Sequence, residues 1–423
     1  LAVAAILLPA PRQEPAAERE GDGYSVEPSI SGDGRLVAFA SVATNLVDGD
    51  TNGVADVFVR DREAGTTRRV SLGPGGRQAN AESRRPVLSS DGRFVAFESW
   101  AGNLGAADEE GRPSGEGYEG RIFLHDLESG RTTCVTEERR ASRAALSGDG
   151  RFVVYQQSGW TAEDGRRTNV FLYDREDGST RQLTDAKTIG KKEGGDCIHP
   201  SISGDGSIVV FESWAETLAP VPARELADHP FDFSSQRRHI FSLERVTGAD
   251  RYVSDIAVDD EVYGGFFGPH VSADGRYVAY SHADSRRFGS TWIGFVTDRV
   301  GRRPGRLVTA PTERMPAMDM LGLSADGARA IYRSPTDGLV PADRNSQTDV
   351  FLWEREPGRS TLVSVSTDGA SADGTSLDAS ISADGRFVAF SSWATNLVAA
   401  DRNRCQDVFV RDLREGTTSR VSV

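Results

Sequence analysis

Apolar residues along the chain come in short runs separated by polar turns, and no segment repeats them at the 3.6-residue interval of an amphipathic helix. Runs such as Leu36-Val37-Ala38-Phe39 and Val57-Phe58-Val59 are continuous and do not alternate with polar residues. Such runs predict strands covered on both faces. The stretches between them, Asp33-Gly34 or Glu63-Ala64-Gly65 for example, suit hairpin turns that need positive φ.

The runs repeat. A Ser-x-Asp-Gly element occurs at Ser31, Ser89, Ser147, Ser203, Ser272, Ser324 and Ser382, with spacings of 58, 58, 56, 69, 52 and 58. Eight residues after each Ser stands an aromatic: Phe39, Phe97, Tyr155, Phe211, Tyr280, Tyr332 and Phe390. A Phe follows in a later apolar run of every unit: Phe58, Phe123, Phe171, Phe241, Phe295, Phe351 and Phe409. Units close on an aliphatic residue followed by Ser or Thr, as in Val70-Ser71 and Leu183-Thr184. Each unit therefore reads as four short strands, and a unit of this size buries its faces only against copies of itself. Seven such units predict an all-β fold: a single seven-bladed β-propeller of four-stranded antiparallel blades.

The sequences Ser31-Gly32-Asp33-Gly34-Arg35-Leu36-Val37-Ala38-Phe39 and Asp56-Val57-Phe58-Val59-Arg60-Asp61 resemble the Ser-Pro-Asp-Gly repeat of TolB-like, WD-repeat-like propellers. The resemblance covers roughly residues 24–423, with Gly, Ala or Ser in place of the usual Pro. It implies the propeller fold, export in many members, and a role as an interaction platform or as the partner domain of an enzyme.

Length alone would suggest two or three domains, which the repeat replaces with one ring. Blades are expected at about 24–71, 80–136, 141–184, 196–254, 264–309, 315–364 and 376–423. No strand is left over to swap between the first and last blades, so closure is expected from packing. Residues 1–20 begin apolar and turn Pro- and Glu-rich, which reads as the remnant of a signal peptide and linker. A secreted, periplasmic or cell-envelope location follows. The net charge of −14 argues against nucleic acid as partner, and no apolar run is long enough for a membrane helix. Three scattered cysteines, Cys134, Cys197 and Cys405, form neither a CxxC pair nor a disulfide framework.

Strands that run alternately up and down place the Asp-Gly turns on one stereotyped rim. The loops between second and third strands lie on the other, variable rim, where binding is expected. Two features lie there. Blades 1, 6 and 7 carry Asp-x-Asn-x-x-x-Asp: Asp50, Asn52 and Asp56; Asp343, Asn345 and Asp349; Asp401, Asn403 and Asp407. Oxygen ligands at this spacing resemble the start of a Ca²⁺ loop, while the same side chains also serve to bond their own backbone. The other feature lies four residues before each Ser, near the mouth of the central channel: Glu27, Arg85, Arg143, His199, Gly268, Met320 and Asp378. Separated signs there would orient an anionic ligand or a peptide terminus, whereas solvated strand ends would carry the same charges.

Blade 4 bears a long insertion, 215–238, with aromatics among prolines that suit a protein contact. Trp100, Trp214 and Trp393 recur at one repeat position, which argues for packing. No Gly-x-Ser-x-Gly, P-loop or HExxH motif occurs. These features together predict a non-catalytic, monomeric scaffold for a protein or cell-envelope ligand, with Ca²⁺ as a candidate stabilising ion. The alternative is a metal-dependent, polysaccharide-lyase-like enzyme using His199, His229, His239 and His270.

Overall fold

The structure is a computed structural model. It describes residues 20–105, 120–136, 140–161, 165–184, 196–213, 239–246, 249–253, 264–284, 291–301, 303–307, 318–399 and 401–423. The apolar N-terminal segment, the blade 4 insertion 215–238 with Trp214 and His229, and the segments that follow the outer strands of blades 3, 4 and 5 lie outside these residues.

Seven four-stranded antiparallel sheets are present, each a meander of strands consecutive in the chain. Apart from a 3₁₀ turn at Pro74–Gly76, the described residues contain no helix. First strands of consecutive blades pack on one another all the way round, so they line the axis. The two recurring aromatics stand opposite each other on the second and third strands, as in Phe39↔Phe58 and Phe390↔Phe409. All seven pairs stack, with ring centroids 5.2 to 5.9 Å apart. Burial of each ring contributes about 1.5–3 kcal/mol, and stacking across the strands adds to it.

The Ser-x-Asp-Gly turn shows why its residues recur. Ser31 Oγ donates to Asp33 Oδ1, the Arg35 N–H donates to the same carboxylate oxygen, and the Leu36 N–H donates to Ser31 Oγ. The same three bonds form in the other six blades. The Gly has φ between 62° and 75° in every blade. It also admits the neighbouring blade: a Cβ on Gly34 would lie 2.1 Å from the ring of Phe387, and one on Gly206 would lie 2.3 Å from Phe152. The Arg after Gly pairs with the acid that ends the third strand, for example Arg35–Asp61 at 2.6 Å and Arg386–Asp412 at 2.6 Å. The bond from Arg35 holds Asp61 down to about 2.

The variable residue x has a role of its own. The Gly32 N–H bonds Ser90 O, Asp91 N–H bonds Gly148 O, Gly148 bonds Gly204 and Gly204 bonds Ala273. Asp274 then bonds Ala325, Ala325 bonds Ala383, and Ala383 returns to Gly32 O at 3.0 Å. These seven backbone hydrogen bonds form a closed cycle around the axis. A proline at x has no N–H to give, and x is the donor in five of the seven links. A Cβ on Gly32 would sit 2.3 Å from Ser90 Oγ, so small residues are required as well. The departure from Ser-Pro-Asp-Gly is thus a structural feature of this ring.

Among the described residues no strand is exchanged between blades 1 and 7, and their junction repeats the bonds of the others. Arg62 stacks over Phe387, 4.7 Å from its centroid, as Arg245 stacks over Phe152 at 4.0 Å. Ser25 N–H reaches Gln406 O at 2.7 Å, matching Ser83 to Ala55 and Ser376 to Thr348. Thr67 Oγ1 donates to Val423 O at 2.7 Å, as Thr132 does to Leu72 O at 2.8 Å.

Candidate functional site at the channel mouth

Every first strand carries a bulge near its start. In blade 1 the register shifts between Val26 and Ser29, so Glu27 and Pro28 oppose Phe39 alone. Blades 2 to 5 share this arrangement. The residue at the bulge has positive φ: 56° at Glu27, 49° at Arg85, 57° at Arg143, 50° at His199 and 56° at Gly268. Left-handed backbone costs a residue with a Cβ about 1–2 kcal/mol, and a bulge re-aims its side chain. Met320 and Asp378 keep negative φ, with the register shift displaced by one position.

Side chains of the preceding blade hold three of these bulges. Glu27 Oε2 accepts from Arg85 N–H at 2.8 Å, Glu98 Oε1 from Arg143 N–H at 2.7 Å, and Gln156 Oε1 from His199 N–H at 2.9 Å. Glu98, Gln156 and Glu212 all stand one residue after the second-strand aromatic. The sequence reading missed them, although that offset from a recurring residue was visible. The fully buried Glu98 also binds the Arg85 guanidinium at 3.0 Å.

The signs at the mouth are less separated than the sequence suggested, because Glu27 and Arg85 are themselves paired, with Nε and Oε1 3.7 Å apart. Burial raises Glu27, with Arg85 opposing and Asp378 adding to the rise. Across the ring Arg333 binds Asp319 at 2.8 Å and approaches Asp378 at 3.9 Å. Arg143 is different: it is exposed, and its guanidinium has no hydrogen bond or ion pair among the described residues. Partial desolvation within the mouth and the Arg85 charge lower its pKa, against the pull of Glu98, Glu27 and Asp378.

Of the histidines, His199 bonds Glu212 through Nδ1. His270 bonds the Met320 backbone, and burial lowers its pKa. His229 and the side chain of His239 lie outside the described residues. Among those residues, the one metal-capable cluster of three or more His, Cys, Asp or Glu is Glu20, Asp401 and Asp407, with no histidine in it. None of the three cysteines is in a disulfide, and Cys197 Sγ donates to Ser213 Oγ at 3.4 Å. Trp100 is half-buried and covers Gly120, but Trp393 is 49% exposed, so the shared repeat position does not secure packing at every Trp.

The Asp/Asn loops bond their own structure. Asn52 Nδ2 donates to Asp56 Oδ2 at 2.7 Å and to Ala79 O at 3.0 Å; Asn345 does the same to Asp349 and Ala372 O, and Asn403 to Asp407 and Gly21 O. Each Asn thus clasps the segment leading into the next blade with its amide nitrogen, which is no metal ligand. In blade 1 the buried Arg69 lies 2.8 Å from Asp50 and 3.3 Å from Asp56. In blade 7 Arg420 lies 2.6 Å from Glu20, 3.8 Å from Asp401 and 3.7 Å from Asp407. A guanidinium supplies the positive charge in both loops.

No family model matches the chain, and no curated protein matches it. Solved structures do match in fold. The β-propeller domain of the Trilobed protease from Pyrococcus furiosus is 13% identical, with 95% of this chain and 96% of that one covered and a TM-score of 0.56. Oligogalacturonate lyase from Vibrio parahaemolyticus is 14% identical over 93% of this chain and 90% of its own, with a TM-score of 0.54. An acylaminoacyl peptidase from Pyrococcus horikoshii is 12% identical over 95% of this chain, which spans 52% of that enzyme, with a TM-score of 0.56. TolB structures also match, at TM-scores of 0.44 and 0.42. The likeness establishes a β-propeller and leaves the activity open, since one fold serves many functions.

Proposed function

We propose that the protein is a non-catalytic, exported scaffold that binds a protein segment at the channel mouth, with the segment's terminal carboxylate on the Arg85–Arg143 arc. The observation that carries this reading is the exposed Arg143, whose guanidinium has no hydrogen bond or ion pair among the described residues, beside the Arg85–Glu98 pair. A planar fork of donors suits a carboxylate, while the acidic Asp378 on blade 7 repels it. The strained bulges that aim these side chains fit a binding role, because such backbone persists where its surroundings over-determine it. The apolar residues 1–10 favour export. The lyase-like alternative has weaker support, because His199 is engaged with Glu212 and His270 with the blade 6 backbone.

The test uses a pool of short fluorescent peptides with free or amidated C termini, read by polarisation. Free-carboxylate peptides bind, and amidation or Arg143→Ala each weakens binding by about tenfold or more. Equal binding by both peptide pools, or by wild type and variant, overturns the reading.

A further inference from the structure

The three Asp/Asn loops share their clasp but differ in their counter-charge. In blades 1 and 7 the residue opposite the third-strand Phe is Arg69 or Arg420. In blade 6 the same register position, opposite Phe351, is Leu362. Leu362 lies against the apolar cluster of Tyr332, Val340 and Trp353 and offers no charge. The acidic pair is kept all the same. Ser364 Oγ donates to Asp349 Oδ1 at 2.6 Å, just as Ser71 and Ser422 hold Asp56 and Asp407. Asp343 is 4% exposed. Its carboxylate accepts from the Gly338 N–H, yet Oδ1 is buried with no hydrogen-bond partner among the described residues. The matching oxygen of Asp50 has Arg69 at 2.8 Å. Nearby Asp337 is occupied by Ser346, whose N–H and Oγ bond it at 2.8 and 2.7 Å, and it adds only negative field.

Burying an uncompensated carboxylate pair is costly, and proteins resolve it by neutralising one group or admitting a cation. We propose that the Asp343–Asp349 loop of blade 6 binds one divalent cation, Ca²⁺ by the hardness of its oxygen donors, at the place that guanidinium groups hold in blades 1 and 7. Asp343 Oδ1 and the free lone pair of Asp349 Oδ2 are the anionic ligands, and backbone carbonyls and water complete the shell. Two carboxylates match the charge of one such ion. With so few protein ligands the affinity falls in the range of about 10⁻⁴–10⁻³ M. The inference is independent of the proposed ligand site at the mouth.

The experiment measures Ca²⁺ binding by calorimetry, and melting in Ca²⁺ against chelator at matched ionic strength. It compares the wild-type chain with Leu362→Arg and Asp343→Asn. Wild type binds one Ca²⁺ and melts about 3 °C higher at a hundredfold excess over Kd. Leu362→Arg supplies the blade 1 arrangement, so it loses both effects and melts no lower than Ca²⁺-free wild type. Asp343→Asn removes a ligand charge and weakens binding about tenfold or more, which keeps the test valid if the Arg variant does not fold. No binding by wild type up to about 20 mM Ca²⁺, or undiminished binding by Asp343→Asn or by folded Leu362→Arg, overturns the proposal.

Discussion

On the Asp-Gly rim the same three side-chain hydrogen bonds and one backbone link recur in every blade. At the mouth, the residue four before Ser is Glu27, Arg85, Arg143, His199, Gly268, Met320 and Asp378 in turn. Only a first strand of about six residues separates the two ends. On the first rim side-chain identity is fixed by local hydrogen bonding. At the mouth the backbone shape is conserved across five blades, by φ near +50°, while the side chain placed on it changes. Repetition of side chains therefore marks what holds the ring together, while at the mouth only the backbone repeats.

Four measurements would break or sharpen this contrast. Gly34→Ala on the turn rim forces a Cβ into left-handed backbone and against Phe387 at 2.1 Å. Its expected cost is about 3 kcal/mol in urea unfolding. Gly32→Pro deletes one link of the cycle and presses on Ser90, at about 2 kcal/mol. A cost below about 0.5 kcal/mol for either would make the turn rim as tolerant as the mouth.

Acid provides the third. Burial, with help from Arg68, lowers His125 from 6.5 to about 4. The folded state holds it neutral while the unfolded chain protonates, so stability is complete above pH 6.5 and falls as pH drops to about 4. The melting temperature is expected to fall by a few degrees over that window, and His125→Gln to flatten the profile there. Glu27 at the mouth works the other way, since its raised pKa makes protonation favour the folded state. The smallest effect on stability is expected from Arg143→Ala, within about 0.5 kcal/mol, despite its loss of ligand. A large destabilisation would make Arg143 a structural residue.

The residues legible in the sequence were those whose side chains do the same work seven times: Ser, Asp, Gly and the paired aromatics. Residue x was unreadable because its work lies in its N–H and its smallness, which Gly32 and Ala325 share without sharing a name. The bulges left a faint trace in Pro28, Pro86, Pro200 and Pro269, each one residue past a mouth position. The Asp/Asn loops were found, but their counter-charge was not. Arg69 and Arg420 come from another strand, and only the register opposite the third-strand Phe shows that Leu362 stands in their place.

The backbone cycle has a consequence for how the molecule forms. Six of its links join neighbouring repeats, so they are available soon after each repeat is made. The seventh joins Ala383 to Gly32, which have most of the polypeptide between them. A hoop cannot be unzipped from an end, and it cannot be fastened until its final segment exists. The blades therefore have every reason to assemble in order along an open arc. The last blade acts as the buckle, and loss of the C-terminal repeat would leave two raw edges and no way to shut the circle.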